Sequence, residues 1–410
     1  MWKRYAVLIF LLCVASKSAM CRTAGDGQGL ESDDLIGGHP IKFAMPILVI
    51  APDARAGGMG DIGVATTPST NDQNWNAAKY IFIESQTGVS LSYIPWLRNI
   101  GSSNINLFYL TAYHRFDDKN AIGASLHYFS VGSLDLRDVN NNFLNTTNPS
   151  EWAVDFSYSR LLGDHFSMSL TGRYIRSDIS GGYTDVQRGV RIKAAYAVAA
   201  DVGLYYFRPV DWGNRAGVFS LGAAISNIGS KMNYSSTGDE VRSYFLPTTL
   251  RIGGAWTANL NDRHDIAVNL ELSKYLVPTP EASGAIPNVS IFQGMMQSFY
   301  DAPGGLSEEL QEIMLGAGLE YTYIRHFMAR AGYYHDTKSP NRKYFTVGAG
   351  IRYQIYTLDI AYLIPTFSGF TNPLANTIRI TLSVDFGNTG RSRSQRTSTK
   401  NTGESDFFSY

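Results

Sequence analysis

The chain has 410 residues, 17% of them charged, with equal numbers of acidic and basic side chains. A nucleic-acid binder acting through bulk charge is excluded, because phosphate affinity needs clustered Lys and Arg. The 25 Tyr, 21 Phe, 6 Trp and 39 Gly suit a chain of many strands and turns better than a helical or doubly wound enzyme. Beyond the N-terminus the longest apolar run, Phe43 to Ala51, has nine residues, too short for a spanning helix of about 20.

In chain order, Met1 to about Ala19 reads as a secretory signal. Lys3 and Arg4 give the positive start, Tyr5 to Ala15 the apolar middle, and Ser16, Ser18 and Ala19 the small residues near a cleavage site; residues 1–21 are set apart on that basis. Cys21 follows Met20, where a lipoprotein site would carry a small residue. With Cys13 inside the signal, Cys21 has no partner for a disulfide. Residues 22–87 begin polar and become apolar and glycine-rich, long enough to fill or gate a lumen. They are expected as a plug or periplasmic segment.

From Gly88 onward the signal is period-two alternation. Ile378, Ile380, Leu382, Val384 and Phe386 alternate with Arg379, Thr381, Ser383 and Asp385. Fourteen strands are predicted near 88–96, 105–116, 121–130, 151–162, 166–178, 194–207, 216–227, 246–258, 264–274, 315–323, 327–335, 344–353, 356–364 and 376–386. Most match the 9–11 residues of a tilted membrane strand rather than the 5–6 typical of soluble sheets. Connections alternate short and long; the longest, Tyr275 to Met314, holds a predicted helix at Leu306–Met314. Aromatic residues recur near strand ends: Tyr93, Trp96, Trp152, Tyr174, Trp256, Tyr323 and Tyr362. Strand length, two loop classes and aromatic girdles favour an all-β, fourteen-stranded antiparallel transmembrane barrel over a soluble sandwich. The barrel is placed at 88–386, with both termini periplasmic and a disordered Ser, Thr and Arg-rich periplasmic tail at 387–410.

Catalytic readings are weak. Gly58-Met59-Gly60-Asp61-Ile62-Gly63 matches the dinucleotide fingerprint, but the β-branched, proline-broken stretch after it cannot open the required helix. Close packing of a glycine-rich segment in the barrel mouth fits better. The histidines have no metal-ligand spacing. Ser125 and His127 share a strand face and read as two lumen-lining polar residues. Arg173, Glu271, Arg352, Arg379 and Asp385 are expected as mutually solvated charges of a lumen.

The stretch Ile47 to Thr66, with Asn74-Trp75-Asn76 and Ala78-Lys79-Tyr80, resembles the N-terminal signature of the PorV family, outer-membrane proteins of the type IX secretion system. Gly88 to Arg98, Ser157 to Leu162 and Arg173 to Asp178 extend the likeness. The resemblance implies a FadL-like barrel with the N-terminal segment in the lumen. Pro52, Asp53, Arg55, Gly57, Gly58, Gly60, Asp61, Gly63 and Trp75 are then signature and plug residues. It further implies a non-enzymatic protein of the cell outer membrane, surrounded by outer-membrane lipid and without a cofactor. Its implied partners are the SprA (Sov) translocon barrel, the C-terminal signal domains of cargo, and the attachment complex of PorU and PorZ. The alternative is a FadL-like transporter of hydrophobic small molecules, with a lateral gap and an apolar pocket behind the segment; an outer-membrane hydrolase is a third reading. Val131–Ser150, Ile228–Phe245 and Tyr275–Met314 offer enough surface for a protein partner, though which of them binds cargo is open in the sequence.

Overall fold

Residue alternation is inverted relative to a soluble sheet. In the strand Phe166–Asp178, Phe166, Met168, Leu170 and Tyr174 are exposed while Ser167, Ser169, Thr171 and Arg173 are buried. Such a surface is stable only against hydrocarbon, since exposed apolar area costs about 25 cal/mol per Å² in water. The computed structural model describes residues 41–95, 105–137, 143–181, 184–185, 190–191, 193–212, 215–234, 242–280, 286–338, 342–366 and 377–388.

Fourteen antiparallel strands form one closed barrel. They are β1 (Ser85–Pro95), β2 (Asn106–Arg115), β3 (Asn120–Ser130), β4 (Ser150–Gly163), β5 (Phe166–Asp178), β6 (Ala195–Trp212), β7 (Arg215–Gly229), β8 (Thr249–Asn261), β9 (His264–Tyr275), β10 (Met314–Tyr323), β11 (Phe327–His335), β12 (Lys343–Tyr353), β13 (Tyr356–Pro365) and β14 (Ile378–Asn388). β1 pairs with β14 through Leu91↔Leu382 and its neighbours, closing the ring. Closure satisfies every strand-edge donor and acceptor, as hydrocarbon requires. No helix among the described residues is long and apolar enough to cross a membrane.

The predicted strands all occur, with adjusted ends. β6 and β7 run on to Trp212 and from Arg215, so the sixth connection is as tight as the other short ones. β8 starts at Thr249 rather than 246, because Leu246 turns into the buried core and Pro247 has no N–H for the ladder. Three two-stranded ribbons inside long connections were not anticipated: Leu134–Arg137 with Phe143–Thr147, Thr184–Asp185 with Val190–Arg191, and Met232–Tyr234 with Arg242–Tyr244. The segment Ala54–Gly57 is a helical turn (α1). The longest connection carries two helices, α2 (Ile291–Gln297) and α3 (Leu306–Gln311). α3 is shorter than predicted because the chain enters β10 at Met314.

Short turns gather at one end and long connections at the other, the asymmetry of periplasmic and extracellular ends. Tyr93, Trp152, Tyr174 and Tyr362 lie toward the long-connection end, Trp256 and Tyr323 toward the other; Trp96 lies outside the described residues.

Residues 41–84 run through the lumen. Ile41, Phe43 and Val49 pack on Tyr275, Met314, Tyr334, Tyr344 and Leu363, all at long-connection strand ends. Met45, Ile47 and Leu48 fill an apolar cluster with Ile94, Leu107, Phe129, Ile175 and Leu246 at that same end. At the opposite end Ala77–Phe82 packs on Tyr113, Ala121, Tyr205, Phe207 and Val218, and Arg115 donates to the Ile83 carbonyl. The even strand count returns both barrel ends, Ser85 and Asn388, to the short-turn side. Ile41 stands at the long-connection end of the lumen; the expected periplasmic N-terminus falls outside the described residues. The signal, residues 22–40 and the tail beyond Asn388 lie outside the described residues.

Candidate functional site

Asp53, extended at φ −119°, caps α1 by accepting from Ala56 N at 2.9 Å, and its second oxygen accepts from Trp75 Nε1 at 2.8 Å. One carboxylate thus joins two parts of the segment. Pro52 beside it is buried and has no amide donor to satisfy there. Lys79, fully buried, gathers three more points by donating to Gly63 O (2.9 Å), Thr66 Oγ1 (2.9 Å) and Asp72 Oδ1 (2.6 Å). A short polar stretch with little apolar core of its own is held together by these charge-assisted bonds.

The segment is fixed to the wall by the same means. Arg55 donates to Glu320 through Nε (3.1 Å) and Nη2 (2.9 Å), and Arg330 holds the same carboxylate from the wall at 2.6 Å. Arg379 donates to Asp61 at 2.7 and 3.2 Å, and Tyr344 donates to Asp61 at 2.6 Å. Glu271 accepts from Gly63 N (2.8 Å) and Val64 N (2.9 Å). Thr70 donates to Asp385 at 2.6 Å, and Ala54 N to Thr381 Oγ1 at 2.8 Å. Glu271, Arg379 and Asp385, expected as mutually solvated lumen charges, are partners of the segment. Arg173 is buried and pairs with Asp155 at 2.6 Å and Asp201 at 3.0 Å; Arg352 is exposed at the short-turn end and donates to Thr357.

Shape reinforces charge. A Cβ on Gly57 would meet the Arg379 side chain, one on Gly58 would stand 3.0 Å from the Gly348 Cα, and one on Gly63 would overlap the Trp75 ring. Gly60 has φ +80°, and a Cβ there would lie 2.8 Å from the Ala317 and Tyr333 carbonyl oxygens. From the wall side, Gly316, Gly318 and Gly332 face Ile62, Met59 and Gly60. Sequence reasoning missed these wall glycines, although glycine inside a strand is itself a sign of close backbone approach. It also missed Lys79 as the central tie. Two voids between segment and wall, of about 20 and 10 Å³, have room for no more than a water or two each. The first is lined by Asp61, Arg251, Glu271 and Arg342 besides Trp75 and tyrosines.

Ser125 and His127 are both buried. Ser125 donates to Asp155 at 2.9 Å, and His127 Nδ1 lies 4.0 Å from the same carboxylate. No serine–histidine hydrogen bond forms, so the pair has no nucleophile-and-base geometry. Among the described residues no His, Cys, Asp and Glu cluster could hold a metal.

The second region is the connection between β9 and β10. From Leu276 to Tyr300 its only charged residue is Glu281. Ser290 caps α2 by accepting from Gln293 N, and Gly294 faces Phe245 and Pro278. On the opposite side Phe292 is 71% exposed and Met296 64%. Phe299, Tyr300, Leu306 and Leu310 are also exposed. α3 is anchored by Lys274, which donates to Glu309 (3.0 Å) and Glu312 (2.5 Å). Burial pushes the Glu312 carboxyl up from the ordinary glutamate range, while its bond to Lys274 pulls it down. An uncharged, methionine-bearing apolar face held by a charged foot suits adaptable contact with partners.

The family model described as Type IX secretion system protein PorV matches residues 37–282, more than half of the chain. Among solved structures, the toluene transporter TbuX of Ralstonia pickettii is similar over 83% of this chain and 100% of its own, at 11% identity and a TM-score of 0.48. The Pseudomonas putida toluene transporter TodX covers 80% of this chain and 95% of its own, at 10% identity and 0.47. A Pseudomonas aeruginosa FadL homologue covers 86% and 100%, at 12% and 0.45. No curated protein matches the chain.

Proposed function

The chain belongs to the PorV family of the type IX secretion system, and from that premise we propose that it handles secreted protein on its extracellular face. It is an outer-membrane barrel. In this reading it binds the C-terminal signal domains of cargo leaving the SprA translocon barrel and delivers them to the attachment complex of PorU and PorZ.

The observation that carries the reading is the division of labour between lumen and loops. The lumen is filled by residues 41–84 through buried ion pairs and backbone contact, whereas the β9–β10 connection presents Phe292, Met296, Phe299 and Tyr300 to the outside. A conduit for hydrophobic small molecules would need an apolar pocket behind the segment. The described voids are water-sized and partly lined by charge.

Affinity capture of the tagged protein from its own cells tests this. Recovery of cargo signal domains and the translocon barrel supports the reading, as does their reduction when residues 286–300 are shortened while the barrel stays folded. Full secretion and surface attachment with the shortened connection would place cargo elsewhere.

A further inference from the structure

We infer that α3 lies against the outer wall of the barrel and inserts Leu306 and Leu310 into the outer leaflet, mooring the β9–β10 connection to lipid as well as to the barrel. The inference is independent of what the protein carries. It starts from the register of β9, where Val268, Leu270 and Leu272 are exposed on the outer face. Glu271 and Tyr275 point the other way, to Gly63 and Phe43 of the luminal segment. Lys274 continues the outward set and pairs with Leu250 of β8 on an unshifted stretch of ladder. Yet Lys274 is only 8% exposed, against 50% for Leu272. Its cover is α3, whose Glu309 and following Glu312 accept from the ammonium at 3.0 and 2.5 Å. The partners of an outward lysine stand outside the cylinder, so α3 does too.

Its height is set by the same ladder. Ile252, Leu272 and Leu315 pair across β8, β9 and β10 and form an exposed apolar row. Lys274 lies one outward position beyond that row, about 7 Å along the strand, and only Glu312 and Ile313 separate α3 from the start of β10. Glu308 adds a bond from Lys338, so the three glutamates are all taken up by lysines. Leu306 and Leu310, one helical turn apart, share a different face and are 76% and 59% exposed. The occupant of that face is lipid, because the face continues the lipid-facing row beneath it. An interfacial helix with charge on one side and leucine on another buries its apolar side about 5–10 Å into the boundary between headgroups and acyl chains. Asp301, between α2 and α3, accepts from Thr279 N at 2.9 Å and from its hydroxyl at 3.2 Å, closing the α2 lobe at its base beside the moored helix.

The test uses the full-length protein in phosphatidylcholine vesicles, with Cys13→Ser and Cys21→Ser so that a nitroxide attaches only where a cysteine is introduced. Leu306→Cys and Leu310→Cys are compared with Gln311→Cys, at an exposed polar position of the same helix, and with Leu272→Cys as the lipid reference. Both leucines are exposed, so cysteine there removes no packing, and the heat-modified gel shift confirms the barrel in each variant. Collision with oxygen, which concentrates in lipid, is measured against collision with a water-soluble nickel chelate. The oxygen-to-nickel ratio at 306 and 310 should exceed that at 311 by at least about fivefold and approach that at 272, as a side chain at the acyl boundary requires. In parallel, phosphatidylcholine carrying a diazirine near the top of its acyl chain should modify residues 306–310 of the unsubstituted protein. Labels at 306 and 310 that favour nickel would overturn the inference, as would labels shielded from both reagents by a covering protein, or lipid adducts confined to the strands.

Discussion

Replacing Gly332 with valine places side-chain atoms where the luminal backbone runs. A Cβ at this position would overlap the Met59 carbonyl carbon and the Gly60 nitrogen. The obstacle is backbone, so no flexible side chain can give way. Overpacking costs about 1–3 kcal/mol. Displacing Gly60 also breaks its bond to Thr346 Oγ1, 2.8 Å in the native protein, and an orphaned buried donor adds about 1–3 kcal/mol. Valine's better strand propensity returns less than about 1 kcal/mol, leaving a net loss of about 1–6 kcal/mol. The control is Gly172→Val, on the outward face with nothing within 4 Å of its Cβ, where the change should stay within about 0.5 kcal/mol. The heat-modified gel shift in detergent measures barrel stability, and planar-bilayer conductance measures segment seating. Gly332→Val should lower the transition and produce open or flickering channels. If both variants behave alike, the wall glycines do not seat the segment and the packing argument fails.

Other perturbations follow the same logic. Asp61→Asn leaves Arg379 buried without its counter-charge, and breaking a buried pair costs about 3–5 kcal/mol. Adding Arg379→Met should recover most of that loss in the same gel assay, and an additive double variant would refute the coupling. Lys274→Met strips Glu309 and Glu312 of their shared partner; residues 306–312 should exchange amide hydrogens faster by at least tenfold while β9 stays protected. Phe292→Ser with Met296→Ser should leave the barrel's heat-modifiability unchanged and lower cargo recovery several-fold; unchanged recovery would remove α2 from the contact face.

The barrel was legible because lipid imposes a simple code: one apolar and one polar or small side chain in turn, over nine or more residues. Strand ends were less so where tertiary packing overrides alternation, as when Leu246 leaves the β8 register for the core. The family likeness pointed to residues of the segment without their partners on the wall, since Arg55 meets Glu320 across 265 residues of chain. Alternation placed Glu271 and Arg379 on the inner face without saying that anything stood opposite them. The direction of threading was hidden for a related reason. An even strand count fixes where β1 and β14 begin and end, and says nothing of the chain before β1.

The central claim is that cargo is handled outside a lumen that stays shut. Cysteines at Ala54 and Thr381, adjacent across the segment and β14, allow the segment to be locked to the wall by oxidation. Secretion and surface attachment are then measured in cells carrying the locked and the reduced protein. The account expects equal cargo delivery in both; loss of delivery on oxidation, restored by reduction, would show that the lumen must open and would contradict it.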